Sequence, residues 1–141
     1  FCISRHREAF HAMIVADVDL LFANRGELMA MYQTEDFDAA LKAAAAEVAI
    51  VACTDGANGA HVLSEGKHWH LPAFATEIVD ATGAGDLFAG AFLWGMTNGY
   101  DLETAGRMGN LAASEIISHI GARPEKDLRA MFIEAGLIAA A

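Results

Sequence analysis

The stretch Val79-Asp80-Ala81-Thr82-Gly83-Ala84-Gly85-Asp86-Leu87-Phe88 turns from small residues into an apolar helix with an acid in its first turn. At such a start the amides of Gly83, Ala84 and Gly85 have no intrahelical acceptor, so three consecutive N–H groups are expected to face an anion. The helix dipole adds roughly half a positive charge there, and glycine lets an anion approach the backbone closely. Asp86 then stands beside that anion. A carboxylate next to a phosphate is costly unless it is needed, so the chemistry to expect is acceptance of a proton from an attacking hydroxyl during phosphoryl transfer. With an aspartate pKa of about 3.9 and a hydroxyl pKa of about 15.7, deprotonation before attack would cost on the order of 16 kcal/mol. The proton must therefore leave late, as the bond to phosphorus forms. The competing reading is a plain helix start with Asp86 as a favourable first-turn acid.

Two nucleotide motifs fail. There is no Gly-x-x-x-x-Gly-Lys-Ser/Thr loop, and Phe88 stands where a dinucleotide fingerprint needs its third glycine. Asn24-Arg25-Gly26-Glu27 has the spacing of a helix capping box. Thr54-Asp55-Gly56-Ala57-Asn58-Gly59 has the composition of a turn between strands. His68 and His70 share one face of a short strand and, with His61, could suggest a metal site. Spacing fixes no acidic or thiolate partner for them, and a hairpin surface is the simpler reading.

These residues need elements to hold them, and the pattern alternates helix and strand. Ser4 is placed to cap a helix through Ile14, and Asp19–Ala23 reads as a buried strand. Helices are expected over Gly26–Tyr32 and from Asp36 through the alanine-rich Ala39–Glu47. Val48–Cys53 is apolar on both faces, as a covered parallel strand should be. His61–Leu63 and His68–Leu71 read as a hairpin around Glu65-Gly66-Lys67. The last third is expected to be helical over Gly85–Asn98, Leu102–His119 and a final helix after Pro124. This order points to an α/β sandwich with a largely parallel sheet.

The chain has 141 residues, of which 55% are hydrophobic and 20% charged, which suits one packed domain and excludes disorder. Nine basic against nineteen acidic residues give a net charge of −10, which disfavours nucleic acid and anionic lipid as partners. The apolar run Leu87–Met96 is too short to span a membrane. Two cysteines cannot build a disulfide framework, so a reducing cytoplasm is the expected compartment. The chain opens at Phe1, without a methionine, as a piece of a longer protein would.

Asp80 to Leu93 strongly resembles the C-terminal signature of the PfkB family, the ribokinase-like sugar and nucleoside kinases. Ala81 departs from it, standing where the family often has Thr. Three further segments follow in the family's order: Asn24-x-x-Glu27, Thr54-x-Gly56-x-x-Gly59 and Gly109-Asn110-Leu111-Ala112-Ala113 with Ser118-His119-Ile120-Gly121-Ala122. The resemblance covers Asp19 to Leu128 and is nearest in appearance to adenosine kinases. It implies a three-layer α/β/α ribokinase-like fold, of which residues 1–141 would be the C-terminal nucleotide-binding and catalytic portion, the acceptor-binding half and lid lying outside. It implies ATP and Mg2+ as cofactors and a sugar or nucleoside as the small-molecule partner. Asp86 would be the base, with Gly83, Ala84 and Gly85 as the anion hole. Thr54, Gly56, Gly59, Thr82 and Asn110 would lie along the nucleotide, and Asn24 and Glu27 would organise Mg2+ through water. Asp80, Thr82 and Ala122 would take a K+ ion, while His119 stands where Arg is common. Apolar surface made for an absent half would favour self-association into a homo-oligomer.

Overall fold

The computed structural model describes residues 2–140; Phe1, at which the sequence opens, lies outside them, as does the side chain of Cys2. Two compact units are present among the described residues, one made of residues 2–55 with 61–70, the other of residues 56–60 with 71–140.

The first unit begins with α1 (Cys2–Asp17), which is kinked where His6 leaves helical torsion angles. Ser4 therefore lies inside the helix and does not cap it. Strand β1 (Leu20–Asn24), α2 (Arg25–Tyr32), α3 (Phe37–Glu47) and β2 (Ile50–Thr54) follow. β1 and β2 are parallel, in register from Leu20 opposite Ile50 to Asn24 opposite Thr54. β2 starts two residues later than the apolar run suggests, because Val48 is the extended C-cap of α3 and donates its N–H to Ala44. Ala40, Leu41 and Ala44 fall on the buried side of α3 and pack in one core with Leu28, Met31, Val51 and Cys53. β3 (Ala60–Ser64) and β4 (Lys67–Leu71) complete a sheet of order β1-β2-β3-β4. Glu65 and Gly66 between them both have positive φ, the signature of a two-residue hairpin turn, which can join only antiparallel strands. The sheet is thus mixed, with its parallel part at β1 and β2.

In the second unit α4 (Ala84–Thr97) lies along α5 (Leu102–Ile116), and α6 (Leu128–Glu134) packs on α5. Glycine sets the closeness of the first pair. A Cβ at Gly95 would come within 3.1 Å of Ala105, and one at Gly109 within 2.7 Å of the Phe88 ring. α5 stops at Ile116, short of His119, because the Ile117 carbonyl accepts the N–H groups of Val79 and Asp80 and the chain turns away there. α6 starts at Leu128 rather than directly after Pro124, since Asp127 is the residue that caps it. Among the described residues no helix is long and apolar enough to cross a membrane.

Candidate active site

In the first unit the C-terminal ends of the two parallel strands bring Asn24 beside Thr54. That edge is where open α/β sheets collect ligands. The Asn24 Oδ1 accepts the Glu27 N–H at 2.8 Å, and Glu27 Oε2 accepts the Asn24 N–H at 2.8 Å. The reciprocal capping box is therefore formed, and both residues remain exposed. Arg25 pairs with Asp55 at 3.2 Å and lies 4.7 Å over the Phe37 ring. Behind them Cys53 is buried and free; burial first, then the charges of Asp55 and Glu27, push its thiol up to about 12, which leaves it a small apolar filler.

In the second unit Gly56 opens a short 3-10 turn, Gly56–Asn58, with φ 55 and no atom within 4 Å of where a Cβ would stand. At Gly59, with φ 93, a Cβ would sit 2.0 Å from the Leu71 carbonyl oxygen, so only glycine fits. The strap on which it rests is held by Asn110. That side chain is buried, and its amide nitrogen donates to the carbonyls of Leu71 at 2.9 Å and Pro72 at 3.2 Å. Asn110 was expected at the nucleotide, but its donor is already committed to the backbone, because a buried amide without a partner would be costly.

The loop before α4 is pinned by Asp80. Its Oδ1 accepts from the Thr82 N–H at 3.0 Å and hydroxyl at 2.7 Å, and its Oδ2 from the Gly121 N–H at 3.2 Å. The Thr82 hydroxyl, then the Thr82 and Gly121 amides, hold this carboxyl below the usual aspartate range. Gly83 follows in the left-handed region, φ 83, and a Cβ there would lie 3.2 Å from that of Ala122. Asp80, Thr82 and Ala122 are thus brought to one place. The row of three open amides needs a correction: the Ala84 N–H donates to Ala81 at 3.3 Å, closing the turn that aims the helix. Gly83, Gly85 and Asp86 are left as the donors at the helix start. No side chain caps α4, and Asp86 is exposed in its first turn.

Sequence reasoning missed Glu115. Its carboxylate is fully buried, and Oε1 accepts the N–H groups of Glu125 at 2.9 Å and Lys126 at 3.0 Å, with His119 Nε2 at 3.3 Å. Burial works against a proton on His119, but Glu115, the Ile120 carbonyl and Glu125 outweigh it and raise its pKa. This pair ties the loop carrying Gly121 and Ala122 to α5. The signal was available as an acid and a histidine four apart within the stretch that reads as one helix in the sequence. Among the described residues no group of three or more His, Cys, Asp or Glu is arranged to hold a metal, so Asn24 and Glu27 can serve a cation only with water completing its shell.

A probable sugar kinase from Rhizobium etli CFN 42 superposes with a TM-score of 0.95 and 44% identity, covering 98% of this chain and 42% of that one. An adenosine kinase from Sinorhizobium meliloti superposes with a TM-score of 0.92 and 41% identity, over 96% of this chain and 42% of that one. A putative ribokinase II from E. coli, solved with ATP and Mg2+, gives 0.83 and 25% identity over 95% and 44%. The chain therefore has the α/β ribokinase-like fold and spans less than half the length of these solved chains. Residues 3–128 match the pfkB family of carbohydrate kinases, and the chain belongs to that family.

Proposed function

We propose that this chain carries the nucleotide-binding and catalytic portion of an ATP-dependent kinase. It would transfer the γ-phosphate to a primary hydroxyl of a sugar or nucleoside, adenosine-like or ribose- or fructose-like. One observation carries the reading: among α2 to α6, only α4 starts without a side-chain cap, and Asp86 stands exposed in the first turn of that uncapped helix. A phosphate would take the place of the cap, accepting from the amides of Gly83, Gly85 and Asp86 while the Ala84 turn fixes their direction. Asp86 orients the acceptor hydroxyl and takes its proton as the new bond forms. Thr54, Gly56, Gly59 and Thr82 line the nucleotide, glycine leaving room for its approach.

The capping box commits only one oxygen of Glu27, so Asn24 and Glu27 fit an ion held through water. Mg2+ would supply charge shielding for the phosphates. Asp80 keeps acceptor capacity after its three hydrogen bonds and, with the carbonyls of Thr82 and Ala122, would hold K+.

Asp86→Asn tests the assignment. Transfer from ATP to a panel of adenosine, ribose and fructose should fall by about 10²–10⁴-fold while ATP still binds in calorimetry. Unchanged turnover overturns the role of Asp86. A second reading is a nucleotide-binding piece without turnover. It predicts ATP binding by the unmodified chain with no transfer to any acceptor.

A further inference from the structure

The loop that presents the bare start of α4 is held from behind by residues 117–122. The Ile117 carbonyl accepts the N–H groups of Val79 at 2.8 Å and Asp80 at 3.3 Å. The Gly121 N–H donates to Asp80 Oδ2, and the Ala122 methyl lies 3.2 Å from where a Cβ on Gly83 would stand. Residues 117–127 themselves form neither helix nor strand. An irregular segment keeps its conformational freedom unless it is tied down, so something else must fix its path.

Glu115 supplies that tie at both ends. Its carbonyl accepts the Ser118 N–H at 3.1 Å and hydroxyl at 2.6 Å, where the segment leaves α5. Its carboxylate Oε1 accepts the N–H groups of Glu125 and Lys126, where the segment ends before α6. One residue thus closes the loop from 118 to 126, with Gly121 and Ala122 near its middle. The side chain has no exposure, and Oε2, also buried, has no hydrogen-bond partner among the described residues. Even with His119 Nε2 3.3 Å from Oε1, a buried carboxylate is costly to a fold, and an apolar side chain would fill that place on α5 at less cost. The carboxylate is therefore better explained by what it places than by what it stabilises. We propose that Glu115 is a positioning residue for phosphate binding: by closing residues 118–126 it sets Gly121 and Ala122 against Asp80 and Gly83, and so aims the amides of Gly83, Gly85 and Asp86. The inference rests on the kinase reading.

The test is ATP binding by calorimetry, with the amide chemical shifts of Gly83, Gly85 and Asp86 recorded in the ATP-free chain. Glu115→Ala should weaken binding about tenfold and move those shifts, an effect of the size expected from a residue that touches no ligand. Glu115→Gln keeps an oxygen for the Glu125 and Lys126 amides and should restore the affinity to within about threefold. Glu125→Pro removes one donor from the exposed end of the loop and leaves the buried carboxylate in place. It should weaken binding about threefold, and it carries the test where Glu115→Ala fails to fold. A merely structural role gives a lower melting temperature with unchanged affinity and unchanged amide shifts at the α4 start. That result, or Glu115→Gln binding as weakly as Glu115→Ala, overturns the proposal. If the unmodified chain binds no ATP, the kinase reading falls and this inference with it. If it binds ATP, and Glu115→Ala and Glu125→Pro bind it equally well, only this inference falls.

Discussion

Helix α2 opens with Asn24 and Glu27 closing each other's backbone N–H groups at 2.8 Å, whereas α4 opens on Gly83 with φ 83 and no side-chain cap. Both starts face the same requirement, since the first amides of any helix lack intrahelical partners. α2 meets it from within, as do α3, α5 and α6 through Asp36, Asp101 and Asp127. α4 leaves it to something outside the chain. The contrast teaches where to look for an anion: at the one start among these five that is bare, preceded by a loop that Asp80 holds fixed. It also sorts the two carboxylates that the motifs single out. Glu27 is tied into its own helix start, while Asp86 is exposed beside the amides it would work with.

The largest expected effect on nucleotide binding comes from giving α4 an anion of its own. Gly83→Asp places a carboxylate at the bare start, so ATP affinity should fall by roughly 10–100-fold, the worth of hydrogen bonds to a charged group at about 1.5–3 kcal/mol. The melting temperature should fall as well, because φ 83 strains a residue with a Cβ and Ala122 stands 3.2 Å from it. Calorimetry that finds ATP binding unchanged would break the comparison. A smaller effect is expected at the capped start. Asn24→Ala should cost about 1 kcal/mol, read as a lower urea midpoint at unchanged slope. If stability is unaltered and only the Mg2+ dependence of ATP binding changes, Asn24 is held for the ion and the contrast between the two starts disappears.

The elements were legible where composition and periodicity speak directly, as in the alanine-rich α3 starting near Asp36 and the helix starting at Leu102. They were less legible where the chain's fate depends on distant partners. Val48 reads as strand but serves as the extended cap of α3. Residues 117–119 read as helix until the Ile117 carbonyl is seen to accept from Val79 and Asp80, some forty residues back. The glycine loop was visible as a motif, yet the turn that engages the Ala84 amide was not, because it depends on local torsion angles. Asn110 and Glu115 show the same limit for side chains. Each is a polar residue on the buried face of α5, and only the packed strap and loop reveal which backbone groups it satisfies.

The smallest expected effect sharpens the comparison by asking what keeps the bare start in place. Asp80 is held below the usual carboxylate range chiefly by the Thr82 hydroxyl, then by the Thr82 and Gly121 amides. A depressed folded pKa contributes stability above the unfolded value of about 3.9, and that contribution is lost as pH falls through the folded value. Thr82→Val removes the hydroxyl, so the Asp80 carboxyl should titrate closer to the ordinary range and the acid limb of unfolding should move to higher pH. Asp101 is the internal control. It too lies below the usual range, but chiefly through the Thr104 backbone N–H that it caps, which a side-chain change leaves intact. Thr104→Val should therefore move Asp101 less than Thr82→Val moves Asp80, as followed by carboxyl chemical shifts from pH 6 to 2. Equal shifts would mean that the loop before α4 is fastened by backbone alone, like the cap of α5, and that Thr82 has no part in presenting the uncapped amides.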